Sequence, residues 1–286
     1  MTVATGYAYL TGTSGMVGVL ADSRLSWTDG RYAEIAIKAH DLGARHAVVS
    51  AGLGLVGPYA AELTRSIVDT TRTSEPPIGL WDVTRTFTYF ARAIQRQLKP
   101  AFDEAGHEPV ENEFVLVGFF SDGSPGVAYV ALSARVERVQ FWKPARDQFA
   151  CFTIGASPAK QIVNAAYTDF GPGSRFDDWN EAVASAMLYA MRAESETFRS
   201  IGGGIALGLC TVKHAKFIWP AVEVEGSTTF ADSVCRTIAR RSARSAITCC
   251  VSKLSPTTPP SSIDESRMPS TEGDLSGRRR AHTNLR

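Results

Sequence analysis

The hydrophobic period changes four times along the chain, and this order of blocks is its strongest constraint on fold. Residues 2–52 read as short apolar runs punctuated by turns: TVATGYAYL, TGTSG, MVGVLA, the loop SWTDG, YAEIAIKA and HAVVSAGL. After Gly57-Pro58 the spacing becomes helical. Tyr59, Leu63 and Ile67, joined by Val68, share one face, and Pro58 suits a first helical turn. A second helical stretch, LWDVTRTFTYFARAIQRQLKPAF, carries Trp81, Phe87, Phe90, Ile94 and Leu98 in register, with Asp82 as a cap near its start. Strands return in EFVLVGFFSDGSPGVAYVALSARVERVQF, where residues 121–124 form a hairpin turn, and in FACFTIGA. Two more helical stretches follow, SPAKQIVNAAYTDF and WNEAVASAMLYAMRAESETF, the latter with an apolar stripe through Val183, Met187, Leu188 and Met191. GGGIALGLCTV and AKFIWPAVEVEG read as closing strands.

Strands, two helices, strands and two helices are what an α+β, four-layer αββα sandwich requires: two antiparallel sheets face to face, with helices outside both. Residues 1–226 are read as one such domain. Residues 227–286 are basic at first and then rich in Ser, Thr and Pro, a composition that buries too little apolar surface to offset its conformational entropy. That tail is expected to be disordered, with Arg236, Arg240, Arg241 and Arg244 on a solvated face.

Composition narrows the function. With 44% apolar residues a substantial core is possible, and 30 Lys plus Arg against 29 Asp plus Glu create no overall field for nucleic acid or membrane. Five cysteines, an odd number without paired metal-ligand spacing, read as reduced thiols in cytoplasm. The five histidines lack ligand spacing, and no G-x-S-x-G elbow is present. Gly202-Gly203-Gly204 lack the Lys-Ser/Thr of a phosphate loop. No metal, cofactor, export signal or membrane span is expected.

The chemistry concentrates in ADSR at residues 21–24. Asp22 and Ser23 alone read as ordinary turn formers at a strand end, and Lys38 alone as a surface lysine on an edge strand. Their joint spacing changes that reading. Lys38 follows Asp22 by sixteen residues, and Gly52, in VVSAGLG, follows Lys38 by fourteen. In these intervals, and over residues 2 to 226, the sequence resembles the proteasome β-subunit group of N-terminal nucleophile hydrolases, near its bacterial relatives HslV and Anbu.

The resemblance implies a threonine peptidase or amidohydrolase that cleaves peptide bonds. An N-terminal threonine is its nucleophile, and the α-amine, with an unperturbed pKa of about 8, is the general base. Lys38 lowers that amine's pKa, Asp22 holds the lysine, and the Gly52 N–H stabilises the oxyanion. Arg24 supports the site. Thr2, bared by removal of Met1, is the expected nucleophile, with Thr5 as an alternative that needs a further cleavage. The Thr2-to-Asp22 interval is about four residues longer than is usual in the family, an excess assigned to the first hairpin, TGTSG. Two serines that position the amine map onto altered turns: Ala156 or Ser157 in IGASPA, and Ser200 before three glycines, with Glu196 off the spacing of the expected acid. Implied partners are peptides or unfolded protein and other copies of the chain in a ring or spiral; an unfoldase is not identified. The competing reading is a catalytically silent scaffold subunit of the same fold.

Overall fold

A computed structural model describes residues 2–12, 14–26, 32–33, 36–71, 77–104, 111–133, 137–155, 160–161, 164, 205–211 and 216–217. The first apolar runs form a long hairpin, β1 (Val3–Thr11) and β2 (Ser14–Asp22). Pairing runs from Ala4↔Ala21 out to Thr11↔Ser14. The ladder runs through most of TGTSG, leaving Gly12 and Thr13 between the paired residues Thr11 and Ser14. A short ribbon, β3 (Leu25–Ser26) with β4 (Tyr32–Ala33), follows. Next come β5 (Ala39–Gly43) and β6 (His46–Ala51), helices α1 (Val56–Thr70) and α2 (Leu80–Glu104), and strands β7 (Asn112–Phe119), β8 (Pro125–Leu132), β9 (Glu137–Trp142), β10 (Gln148–Gly155) and β11 (Ile205–Thr211).

The chain is thus α+β, with two large antiparallel sheets and two helices among the described residues. One sheet has the order β10-β1-β2-β11 and the other β5-β6-β7-β8-β9. Strand alternation explains how they meet. Ala4, Ala8, Val17, Val19 and Ala21 of the first sheet pack on Val49, Val115, Val117 and Val127 of the second in one apolar cluster. The opposite face of the second sheet, with Val48, Phe114, Leu116 and Val130, packs on α1 and α2. Phe87 and Phe114, nearly or wholly inaccessible, meet edge to face at 5.0 Å, and burying such a side chain contributes about 1.5–3 kcal/mol.

Helix α1 turns toward the core a face other than its apolar stripe. Ala60, Ala61, Thr64 and Val68 are buried, whereas Tyr59, Leu63 and Ile67 are 60%, 44% and 42% exposed. Val68 belongs to the buried face, separate from the three it was grouped with. Small residues win the inward positions because they let the helix lie close to the sheet, and Thr64 satisfies its hydroxyl by donating to the Ala60 carbonyl at 2.6 Å. In α2, Asp82 lies within the first turn and not at the cap, where its charge still complements the helix dipole. The turn at residues 121–124 forms as read, with Asp122 Oδ1 accepting the Ser124 N–H at 2.9 Å. The segments read as the third and fourth helices, the AKFIWPAVEVEG strand and the tail lie almost entirely outside the described residues.

Two histidines of the second sheet make folding acid-sensitive. His46 is 1% exposed, with Nδ1 at 3.3 Å from the Gly43 carbonyl and Nε2 at 3.1 Å from that of Phe119. Burial pushes both His46 and His40 from 6.5 down to about 4. Between pH 6.5 and 4 the unfolded chain therefore holds protons that the folded chain lacks, and stability falls as pH falls, by up to about 1.4 kcal/mol per pH unit per histidine. Urea midpoints measured from pH 7 to 4.5 are expected to drop, and less steeply in His46→Gln. Parallel curves for the two proteins would remove His46 from this role.

Candidate active site

Asp22 ends β2 where that strand pairs on both sides, with Ala21 opposite Ala4 and Asp22 opposite Ile205. Its side chain is fully buried, and such a carboxylate needs donors. It has several. Oδ1 accepts the Val3 N–H at 3.0 Å and Lys38 Nζ at 2.8 Å, while Oδ2 accepts Lys38 Nζ at 2.9 Å and the Arg24 N–H at 3.3 Å. ADSR is therefore a strand end whose acid points into the protein and binds a base from the segment that leads into the other sheet.

Lys38 comes from just before β5, not from within a strand as expected. Its carbonyl accepts the Ser50 N–H at 3.1 Å, which ties that backbone to β6. The Lys38 side chain is 8% exposed and reaches Asp22 at the end of β2. Burial lowers the Lys38 pKa, Asp22 opposes that shift by charge and hydrogen bond, and Arg24 adds to the lowering. Arg24 is itself buried.

Thr2 immediately precedes β1 and is 7% exposed. The next residue donates its N–H to Asp22, so Thr2 stands at the same strand end as the Asp22–Lys38 pair. Thr5 does not. It lies within β1, paired with Leu20 on one side and Thr153 on the other, and its hydroxyl donates to the Phe152 carbonyl at 3.1 Å. A chain beginning at Thr5 would lose the Val3↔Gly155, Ala4↔Ile154 and Ala4↔Ala21 pairs and the Val3 bond to Asp22.

Gly52 follows β6 with φ +121°, and a methyl group there would come within 2.6 Å of the Asn112 amide oxygen. Only glycine fits both conditions. Asn112 Oδ1 also accepts the Leu53 N–H at 2.8 Å, which anchors the backbone just after Gly52. Gly155 ends β10 with φ +108°, and a methyl group there would lie 1.6 Å from the Thr2 carbonyl oxygen. The two backbones touch. The Gly155 N–H donates to Glu113 Oε2 at 3.2 Å, and Tyr129 Oη donates to Glu113 Oε1 at 2.8 Å. Burial and then the Glu113 carboxylate raise the Tyr129 pKa, so this phenol stays a donor.

The sequence matches no protein-family model, and no curated protein resembles it significantly. The site thus rests on its geometry.

Asp22, Lys38, Arg24 and the backbone beside Thr2 come together, and Gly52 lies at the end of β6 with a positive φ. Ser157 and Ser200, with Ala156 and Glu196, lie outside the described residues. Asn112, Glu113 and Gly155 had no role in the sequence reading. Gly155 stands in the IGASPA turn singled out for its serine, while a polar pair at the start of a strand resembles any strand boundary. Among the described residues no group of three His, Cys, Asp or Glu side chains is arranged to hold a metal, and no helix is long and apolar enough to cross a membrane. The arrangement offers a buried, partly compensated cation and constrained backbone next to a threonine. That combination can activate an amine or hydroxyl. It also suits a strut between sheets.

Proposed function

We propose that the chain is a proteasome-like threonine peptidase or amidohydrolase, with Thr2 as its nucleophile once Met1 is removed. The observation that carries this reading is the buried Lys38–Asp22 pair, whose carboxylate also holds the amide of the residue after Thr2. A strut alone has no need of a buried lysine, because apolar side chains would join the sheets without the desolvation cost. The freed α-amine of Thr2 takes the hydroxyl proton as Oγ attacks the scissile carbonyl, and the Gly52 N–H receives the developing oxyanion. The leaving amine departs with a proton, and water then hydrolyses the acyl ester. Ser157 and Ser200 position the α-amine in this scheme.

The four-layer form of the fold belongs to the same proposal. Two sheets face to face with helices on one outer side support it, as does the burial of Val3, Tyr7 and Leu20 on the outer side of the first sheet. Substrates are peptides or unfolded protein, and the active form is a cytoplasmic homo-oligomer. Intact-protein mass spectrometry before and after treatment with a threonine-directed epoxyketone or β-lactone tests the reading. Loss of Met1 with one probe added at Thr2 is expected. Retention of Met1 without an adduct would favour the silent scaffold, and an adduct at Thr5 would move the nucleophile.

A further inference from the structure

Two consecutive residues of β7, Asn112 and Glu113, touch both backbone walls of the site. Successive strand residues point to opposite faces, so they reach in different directions. Asn112 is fully buried on the face of Phe114 and Leu116, the helix side, and holds Leu53. Glu113 shares the face of Val115 and Val117, between the sheets, and crosses to Gly155 at the end of β10. That cross-sheet bond gives a side-chain acceptor to the backbone that lies against the Thr2 carbonyl. Tyr129, two strand positions' reach away on β8, takes the other carboxylate oxygen, so the Glu113 rotamer is set from a second side.

We propose that Glu113, tethered by Tyr129, is a positioning residue of the hydrolase: its carboxylate fixes Gly155 and through it the Thr2 backbone, while Asn112 fixes the Gly52 wall. The inference rests on the proposed function, since positioning has meaning only if Thr2 reacts. Nucleophile and oxyanion donor stand at the ends of strands of different sheets, and β7 contacts the backbone beside both. Misplacement of a nucleophile by about 1 Å can cost on the order of 100-fold in rate, so a residue outside the reacting set controls turnover.

The test compares Glu113→Ala, Glu113→Gln and Tyr129→Phe in the full chain, by the rate of β-lactone labelling of Thr2 and by kcat and KM for a small peptide amide. Glu113→Ala is expected to lower labelling rate and kcat by about 10- to 100-fold, with KM within about twofold. Glutamine can accept from Gly155 with its oxygen and donate to the Tyr129 hydroxyl with its nitrogen, so Glu113→Gln is expected to restore most of the rate. Tyr129→Phe, which keeps the Gly155 bond but frees the carboxylate, falls between them and serves if Glu113→Ala does not fold. Wild-type labelling by Glu113→Ala or Tyr129→Phe, or a Glu113→Gln as slow as Glu113→Ala, would overturn the positioning role while the hydrolase stands. A wild-type protein that takes no probe overturns the hydrolase reading itself, and the positioning role with it.

Discussion

Lys38→Ala is expected to lose peptide hydrolysis and probe labelling by at least about 10³-fold, within the range that acid–base assistance supplies, while the far-ultraviolet circular dichroism stays that of the wild type. The fold survives because Asp22 keeps two backbone donors, Val3 N–H and Arg24 N–H, and both sheets retain their ladders and common apolar cluster. Under the proposed mechanism chemistry does not survive, because Lys38 is a cation bound at the strand end beside Thr2. In that mechanism a positive charge there lowers the pKa of the freed α-amine by repulsion and keeps more of it in the basic form near neutral pH. Without it the amine returns toward about 8, so any residual activity should rise at higher pH than in the wild type. Lys38→Ala with wild-type turnover and an unmoved pH profile would leave the Asp22–Lys38 pair as a strut and sink the mechanism.

The fold was readable wherever a segment contains its own instructions. Short apolar runs bounded by turns located the strands on both sides of the helices, and the Ser121–Ser124 turn carried its own Asx bond. What failed is what tertiary packing decides. The Tyr59, Leu63 and Ile67 stripe has a good helical period, yet the sheet accepted the Ala60, Thr64 and Val68 face because it needed small side chains. In the site, Asp22 and Lys38 were found from the interval between them, since alone each has a commoner surface role. Asn112, Glu113 and Gly155 have no such interval. Their meaning comes from which strand ends meet across the sheets, and that depends on register, a property one sequence does not state locally.

Asp22→Asn should be the most destabilising of the conservative changes at the site. The side-chain shape is kept, and an amide oxygen can still accept the Val3 N–H, so the change is mainly one of charge. Lys38 then sits 8% exposed with no anion against it and with Arg24 still adding repulsion. Breaking one side of such a pair costs about 3–5 kcal/mol. The pH dependence has a defined sign. Lys38 already titrates below its ordinary 10.5 in the folded chain, and Asp22 is the group that opposes the lowering. With Asp22 neutralised the folded value falls further, so over a wider window below 10.5 the unfolded chain holds a proton that the folded chain lacks. Stability therefore rises with pH across that window, and the variant should recover part of its deficit between pH 7 and 10 in urea titrations. Adding Lys38→Met to Asp22→Asn removes the uncompensated charge and should restore most of the stability with none of the activity. If the single variant loses less than about 1 kcal/mol, the value of an exposed ion pair, then Asp22 and Lys38 are not the buried pair on which the site depends.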